Sequence, residues 1–337
     1  MTVVLMPQLC SLTERDVSST VENQSHSASP FAFRSPSAPW SRPFTSRQLE
    51  DLLSGDGPLS EERRAELRSH PEFPAAARRT AACLAAHHRG NRILNAIISD
   101  RGRFFAALFV LDLHFRRRDE GIGLTPGRLK ELCVEQGICS ATRAGALLGL
   151  MQLAGYVEAA PQGRDGRRRE LVPTERLIGQ QRARWRCYLV GAEPLVPAAS
   201  AARRMLDHPP FVEGVVRLMS GCFRAGFRFS DHAPGLRLFT ERNGGMFVLL
   251  TLFAASGDDA DAPVDISVSQ LARAISSSRA HVVKLLRDAE TEGLLRRQEP
   301  GGIVLTPDLR HDTLEFFAFG QLMLIHFADT ARAHFGM

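Results

Sequence analysis

The chain has 337 residues, 44% of them hydrophobic and 23% charged, which suits about two globular domains and excludes wholesale disorder or a collagen-like fibre. Its longest apolar runs, Phe104–Leu111 and Met246–Ala255, fall far short of the ~20 residues a membrane helix needs. No basic region precedes the short apolar N-terminal stretch, so a cytoplasmic protein without a secretory signal is expected. The net charge is +5 and its cations are nearly all arginine, with lysine only at 130 and 284.

Residues 18–47 hold nine serines and four prolines with little apolar periodicity. Residues 1–45 are therefore expected to be a disordered Ser/Pro-rich arm. Helical patterning starts near Arg47–Leu53 and strengthens after Ala75. From there the chain resembles itself at an offset of 138 residues. His70-Pro71-Glu72-Phe73 answers His208-Pro209-Pro210-Phe211, Phe109-Val110-Leu111 answers Phe247-Val248-Leu249, Ser140 answers Ser278, and Gly155 answers Gly293. A duplication with a first unit over 46–195 and a second over 196–337 is expected.

Each unit reads in one order. A long helical segment (Ala75–Ser99, Ala201–Phe227) precedes an apolar helix (Phe104–Phe115, Met246–Ser256). A short extended piece follows, Leu124-Thr125 or Ile266-Ser267, and its second residue is a good N-cap for a helix over Pro126–Glu135 or Val268–Ile275. A second helix opens on Ser140 or Ser278. Its apolar positions are Ala144, Leu147, Leu148 and Met151, or Val282, Leu285, Leu286 and Ala289, at helical spacing. It stops at Gly155 or Gly293, as a left-handed C-cap requires. Two strands then form a hairpin (Tyr156–Glu158 with Glu170–Val172, Leu294–Arg296 with Ile303–Leu305), and long helices follow over Thr174–Val190 and Pro307–Phe335. This is the winged helix-turn-helix order. The expected fold is mainly α with small β-hairpin wings, a tandem pseudo-dimer with long flanking helices.

Between Pro161 and Arg186 eight arginines face three acids, a concentrated basic patch of the kind that binds nucleic acid. The first wing carries Arg164, Asp165, Arg167, Arg168 and Arg169 and runs on to Leu171-Val172-Pro173-Thr174. This resembles the MarR family of bacterial transcription regulators, whose wing reads Asp-x-Arg before a strand ending in Leu-Thr. Pro173 stands where the family has leucine. The resemblance implies that Asp165 orients Arg167 into a minor groove, that terminal helices form the dimer interface, and that a small-molecule effector sits between the long helices and the winged unit. It implies no cofactor. The second wing, Glu299-Pro300-Gly301-Gly302, lacks the motif.

The start of the first reading helix offers Ser140, Thr142 and Arg143, but Ala141, Gly145 and Gly149 form a small-residue row poor in base readers. The second offers Ser277, Ser278, Arg279, His281, Lys284 and Arg287, with Arg287 alternatively paired to Asp288 or Glu290. An asymmetric reader of duplex DNA is expected, located on the nucleoid, with further self-association left open. Two alternatives remain: a plasmid replication initiator with two winged-helix domains, and a winged-helix protein–protein scaffold.

No phosphate loop, Gly-x-Ser-x-Gly or His-Glu-x-x-His is present, so an enzyme is not expected. His87-His88 reads as surface, and the acidic loop at Asp258, Asp259, Asp261 and Asp265 lacks an EF-hand's glycine and glutamate. The six cysteines lack Cys-x-x-Cys spacing and are expected to be reduced and mostly buried, with Cys133 and Cys139 flanking the first helix-turn.

Overall fold

The computed structural model describes residues 40, 43–161, 170–298 and 301–335. They are mainly helical, with two small antiparallel hairpins. In chain order come α1 (Ser46–Leu53), α2 (Glu61–Ser69), α3 (Phe73–His88), α4 (Arg92–Ile98), α5 (Arg101–Phe115), α6 (Arg117–Glu120), α7 (Pro126–Glu135) and α8 (Ala141–Leu153). Then follow β1 (Val157–Ala159), β2 (Leu171–Pro173), α9 (Glu175–Ala192), α10 (Ala198–Arg204), α11 (Pro209–Arg224), α12 (Arg237–Glu241) and α13 (Gly245–Ala255). The chain closes with α14 (Val268–Ala274), α15 (Arg279–Thr291), β3 (Leu295–Gln298), β4 (Gly302–Leu305) and α16 (Pro307–Phe335).

The order α5–α7–α8–hairpin–α9 recurs as α13–α14–α15–hairpin–α16, and the local chemistry recurs with it. Thr125 and Ser267 cap α7 and α14 with their hydroxyls, and Ser140 and Ser278 cap α8 and α15. Gly155 and Gly293 end α8 and α15 at φ +70° and +71°, a conformation that a Cβ makes costly. The amides of Tyr156 and Leu294 donate back to Met151 and Ala289, 2.9 Å each. The hairpins pair Val157 with Pro173 and Leu295 with Leu305. Each gains a third extended residue through a single bridge, Leu124 to Leu171 and Val264 to Ile303. The bridge of the second half thus falls at Val264, two residues before the expected Ile266.

The long segments are interrupted where backbone chemistry demands it. Gly90, at φ +74°, separates α3 from α4. Pro209 opens α11. Phe73 and Phe211, the matched residues of the two His-Pro segments, are both fully buried at the start of α3 and α11.

The described residues form one compact unit. The reason is an exchange of helices: α3 of the first half packs on α13 of the second, while α11 of the second packs on α5 of the first. The two halves share one core. Trp40 and Phe44 join it by lying on Gly214 and Gly221 of α11, where a Cβ would come within 3.1 Å and 2.6 Å of their side chains. Trp40 and Phe44 are therefore packed, although both fall inside the stretch expected to be an arm.

A buried charge network closes one side. Arg64 of α2 (4% exposed) and Arg68 both pair with Glu315 of α16 (2% exposed), and Arg64 also pairs with Glu61. The cysteines depart from expectation. Cys83 of α3 and Cys187 of α9 form a disulfide, while Cys133, Cys139 and Cys222 are free. Their separation of 104 residues leaves no spacing signature to read. None of the described helices is long and apolar enough to cross a membrane.

Candidate nucleic-acid interface

The expected reading helices are α8 and α15, and every residue placed on their inner faces is buried: Ala144, Leu147, Leu148 and Met151, and Val282, Leu285, Leu286 and Ala289. Their outer faces differ. On α8, Ser140 accepts the amide of Arg143 at 3.3 Å, and Thr142 is exposed. The Arg143 guanidinium is tied to Asp100 Oδ2 at 2.7 Å. A Cβ at Gly145 would meet Lys130 of α7 at 2.9 Å, whereas Gly149 opens on empty space. Leu153, on the same row, is 90% exposed. Beyond the Lys130 contact at Gly145, the Gly149–Leu153 end of that row is open.

On α15, Ser278 accepts the amide of His281 at 3.1 Å, and His281 Nε2–H donates to the Asn243 carbonyl at 2.7 Å. Lys284 and Arg242 both pair with Asp288, at 3.3 Å and 3.1 Å. Glu290 pairs with Arg297 of β3. Both acids offered as partners for Arg287 are thus taken by other cations. Arg287 is exposed, and no ion pair holds it among the described residues.

Arg143 and His281 occupy the same position, third in their helices. Each reaches the loop that starts the apolar helix of its own half, Asp100 before α5 and Asn243 before α13. Those two loops meet: Gly244 N–H donates to the Ser99 carbonyl at 2.7 Å, and Arg101 pairs with Glu241 at 2.5 Å. The starts of α8 and α15 are therefore joined by a short relay.

Beside the start of α15 lies an open cleft of about 810 Å³ lined by Arg92, Arg273, Arg279, Ser269, Ser276 and Ser277. All three arginines are exposed, and none forms an ion pair among the described residues. Arg92 comes from α4 in the first half and the others from α14, α15 and the turn between them in the second. Ser276 sits at φ +55°, unusual for a residue with a Cβ, and its turn brings α14 and α15 together around the cleft. Arg279 and Ser277 are expected at such a site from the sequence. Arg92 and Arg273 are not. Arg92 is remote in sequence from α15, so no local pattern announces it.

Arg164, Asp165, Arg167, Arg168 and Arg169 lie outside the described residues, as do Glu299 and Pro300 of the second wing. On β3, Arg296 is paired with Asp261 at 3.2 Å and Arg297 with Glu290, which leaves that strand little free positive charge.

Other candidates resolve as packing. His88 is 3% exposed rather than superficial, stacks on Phe247 at 4.1 Å and contacts Asn95 at 3.2 Å. Burial pushes the Cys133 thiol up to about 12, with the neighbouring Cys139 adding to it, so it stays an unreactive thiol. Asp258 and Asp261 pair with Arg78 and Arg296. Among the described residues no group of His, Cys, Asp and Glu is arranged to hold a metal ion. No protein-family model, curated protein or solved structure matches the chain.

Proposed function

We propose that this chain is a duplex-DNA-binding transcriptional regulator of the nucleoid, built as two fused winged-helix units similar to those of the MarR family. In this reading it binds rather than catalyses. One observation carries it: three exposed, unpaired arginines and three serines surround the cleft at the capped start of α15. Guanidinium forks, hydroxyls and a helix N-terminus are what a phosphate backbone takes as partners. Arg287, free on the outer face of the same helix, stands ready for guanine edges in a major groove.

The two halves contribute unequally. α15 supplies unpaired cations, while α8 supplies small residues and one arginine already tied to Asp100. The wing arginines at 164 and 167–169 are the first half's compensating contribution, with Asp165 orienting Arg167 as in the family resembled.

The test is fluorescence anisotropy with random and selected duplexes across a salt series. The expected log–log slope is steep and negative. Arg273→Ala with Arg279→Ala should flatten it by about one to two units, at ~0.9 for each phosphate no longer neutralised. Arg167→Ala should weaken affinity separately. A shallow slope for the parent, or no change in the double variant, overturns the proposal. Selection from a random pool distinguishes promoter-like targets from the iterated repeats of a replication initiator. The scaffold alternative rests on the exposed Leu153–Gly149 stripe and predicts no binding to random duplex at low salt.

A further inference from the structure

A smaller compartment of about 230 Å³ adjoins the basic cleft and shares Arg92, Ser276 and Ser277 with it. Together they form a recess between α4 of the first half and the α14–α15 turn of the second. Their linings differ. The cleft presents Arg92, Arg273 and Arg279, all exposed and without ion pairs among the described residues. The compartment is walled by Phe247 and Ile275, both buried, and by the half-buried Ala96. Of its polar groups, Asn95 is bonded to His88, and Arg103 to Ser99 and the Ala96 carbonyl. The side chains of Asn243, Ser276 and Ser277 form no hydrogen bond among the described residues.

The turn between the two parts is held in an unfavourable conformation. Ser276, at φ +55°, is the one residue other than glycine with a positive φ among the described residues, a conformation that a Cβ makes costly. The first half makes the same turn with the same two backbone bonds. The amides of Gly137 and Ile138 reach the carbonyls of Val134 and Cys133, as those of Ser276 and Ser277 reach Arg273 and Ala272. There the positive φ, +61°, falls on a glycine, Gly137. Val134 and Ala141 occupy the places that Arg273 and Arg279 hold in the second half. The turn itself therefore needs neither the serine nor the arginines. Strain of this kind gathers at sites that bind or switch, and here it carries a hydroxyl to the junction of cleft and compartment.

We propose that this recess binds a purine nucleoside diphosphate, with the base in the compartment and the two phosphates on the arginines of the cleft. Size sets the base. A cavity of about 150 Å³ holds benzene, so about 230 Å³ admits a fused two-ring heterocycle. The apolar walls take the ring faces, and the open amide and hydroxyls of Asn243, Ser276 and Ser277 take the ring edge and the ribose. Charge sets the tail. Two linked phosphates carry about three negative charges at neutral pH, which three guanidinium groups match, and the guanidinium fork fits phosphate oxygens. A lone carboxylate would leave most of that positive charge unanswered. The same arginines serve the proposed duplex contact, but the nucleotide site does not depend on that reading and its test contains no DNA. A chain that takes the nucleotide and ignores random duplex keeps this proposal and loses the other.

The experiment is calorimetric titration of the full chain, without divalent cations, with ADP, GDP, adenosine, guanosine and pyrophosphate. The expected result is saturable one-to-one binding of ADP or GDP, at least about tenfold tighter than its own nucleoside and than pyrophosphate. Arg273→Ala with Arg279→Ala should bring the nucleotide down to the affinity of its nucleoside. Ala96→Phe, which fills the compartment and leaves the arginines in place, should bring it down to that of pyrophosphate. Ser276→Gly should weaken nucleotide binding at least about threefold and leave the melting temperature unchanged or higher, because the strain goes with the hydroxyl. No saturable binding of either nucleotide, pyrophosphate binding as tightly as the nucleotide, or a nucleotide affinity that survives any of the three variants would each overturn the proposal.

Discussion

His88 is the side chain whose environment departs furthest from its sequence expectation. It lies between Phe247 and Asn95, and burial, aided by the Arg184 cation, holds it down to about 3 from an ordinary 6.5. An unfolded chain protonates this ring near 6.5, whereas the folded chain does not until far lower. The contribution to stability is therefore full above 6.5 and is lost as pH falls towards 3, by up to about 1.4 kcal/mol per unit. Urea unfolding at pH 7 and pH 5 should show the loss, and His88→Phe should reduce it; an unchanged pH slope in the variant would assign the effect elsewhere. Glu315 makes a different kind of demand. It is the shared, buried partner of Arg64 and Arg68, so Glu315→Gln leaves the two guanidinium groups with the exposed Glu61 as their one remaining carboxylate. A loss of about 3–5 kcal/mol is expected from denaturant midpoints, and a loss below about 1 kcal/mol would mean the network is solvated.

Helices announce themselves where apolar spacing and caps agree. α7 and α16 begin and end where the sequence places them, because Pro126 after Thr125 and Pro307 after Thr306 fix their starts. α2 has the Ser60 cap but no apolar spacing to agree with it. Its inward positions are Leu67 and an arginine, Arg64, and a buried guanidinium is invisible to a pattern that counts only apolar residues. The same limit applies to the basic cleft: the sequence displays Arg279, but only the fold brings Arg92 of α4 to it. The disulfide joins two helices whose cysteines share no motif. The caps, by contrast, are plain. Replacing Ser278 by alanine removes the acceptor for the His281 amide and should cost about 1 kcal/mol. In an anisotropy titration it should also weaken duplex binding, because it frays the end of α15 that lines the cleft; a stability loss without a binding loss would separate the cap from the interface.

Across the whole molecule, the exchange of α3 and α11 between the halves makes the core indivisible. Fragments 46–195 and 196–337 expressed separately should each expose the faces that the other half now covers, and should give neither sharp near-ultraviolet dichroism nor a cooperative melt. Two sharp independent melts would show that each half is a domain in its own right. The Cys83–Cys187 bridge closes a loop of 104 residues across this core, and reduction should lower stability by about 2–5 kcal/mol. Thiol titration of the unreduced, denatured chain should find four reactive groups out of six cysteines; six would show the pair to be open.

The relay from α8 through Asp100, Ser99, Gly244 and Asn243 to α15 is covalently part of one polypeptide. A symmetric pair of identical subunits separates on dilution and must accept every mutation at two places simultaneously. This molecule is bound by neither constraint. Its two halves stay joined at any dilution, and a substitution on α15 leaves α8 unchanged, so the two helices are free to carry different outer faces.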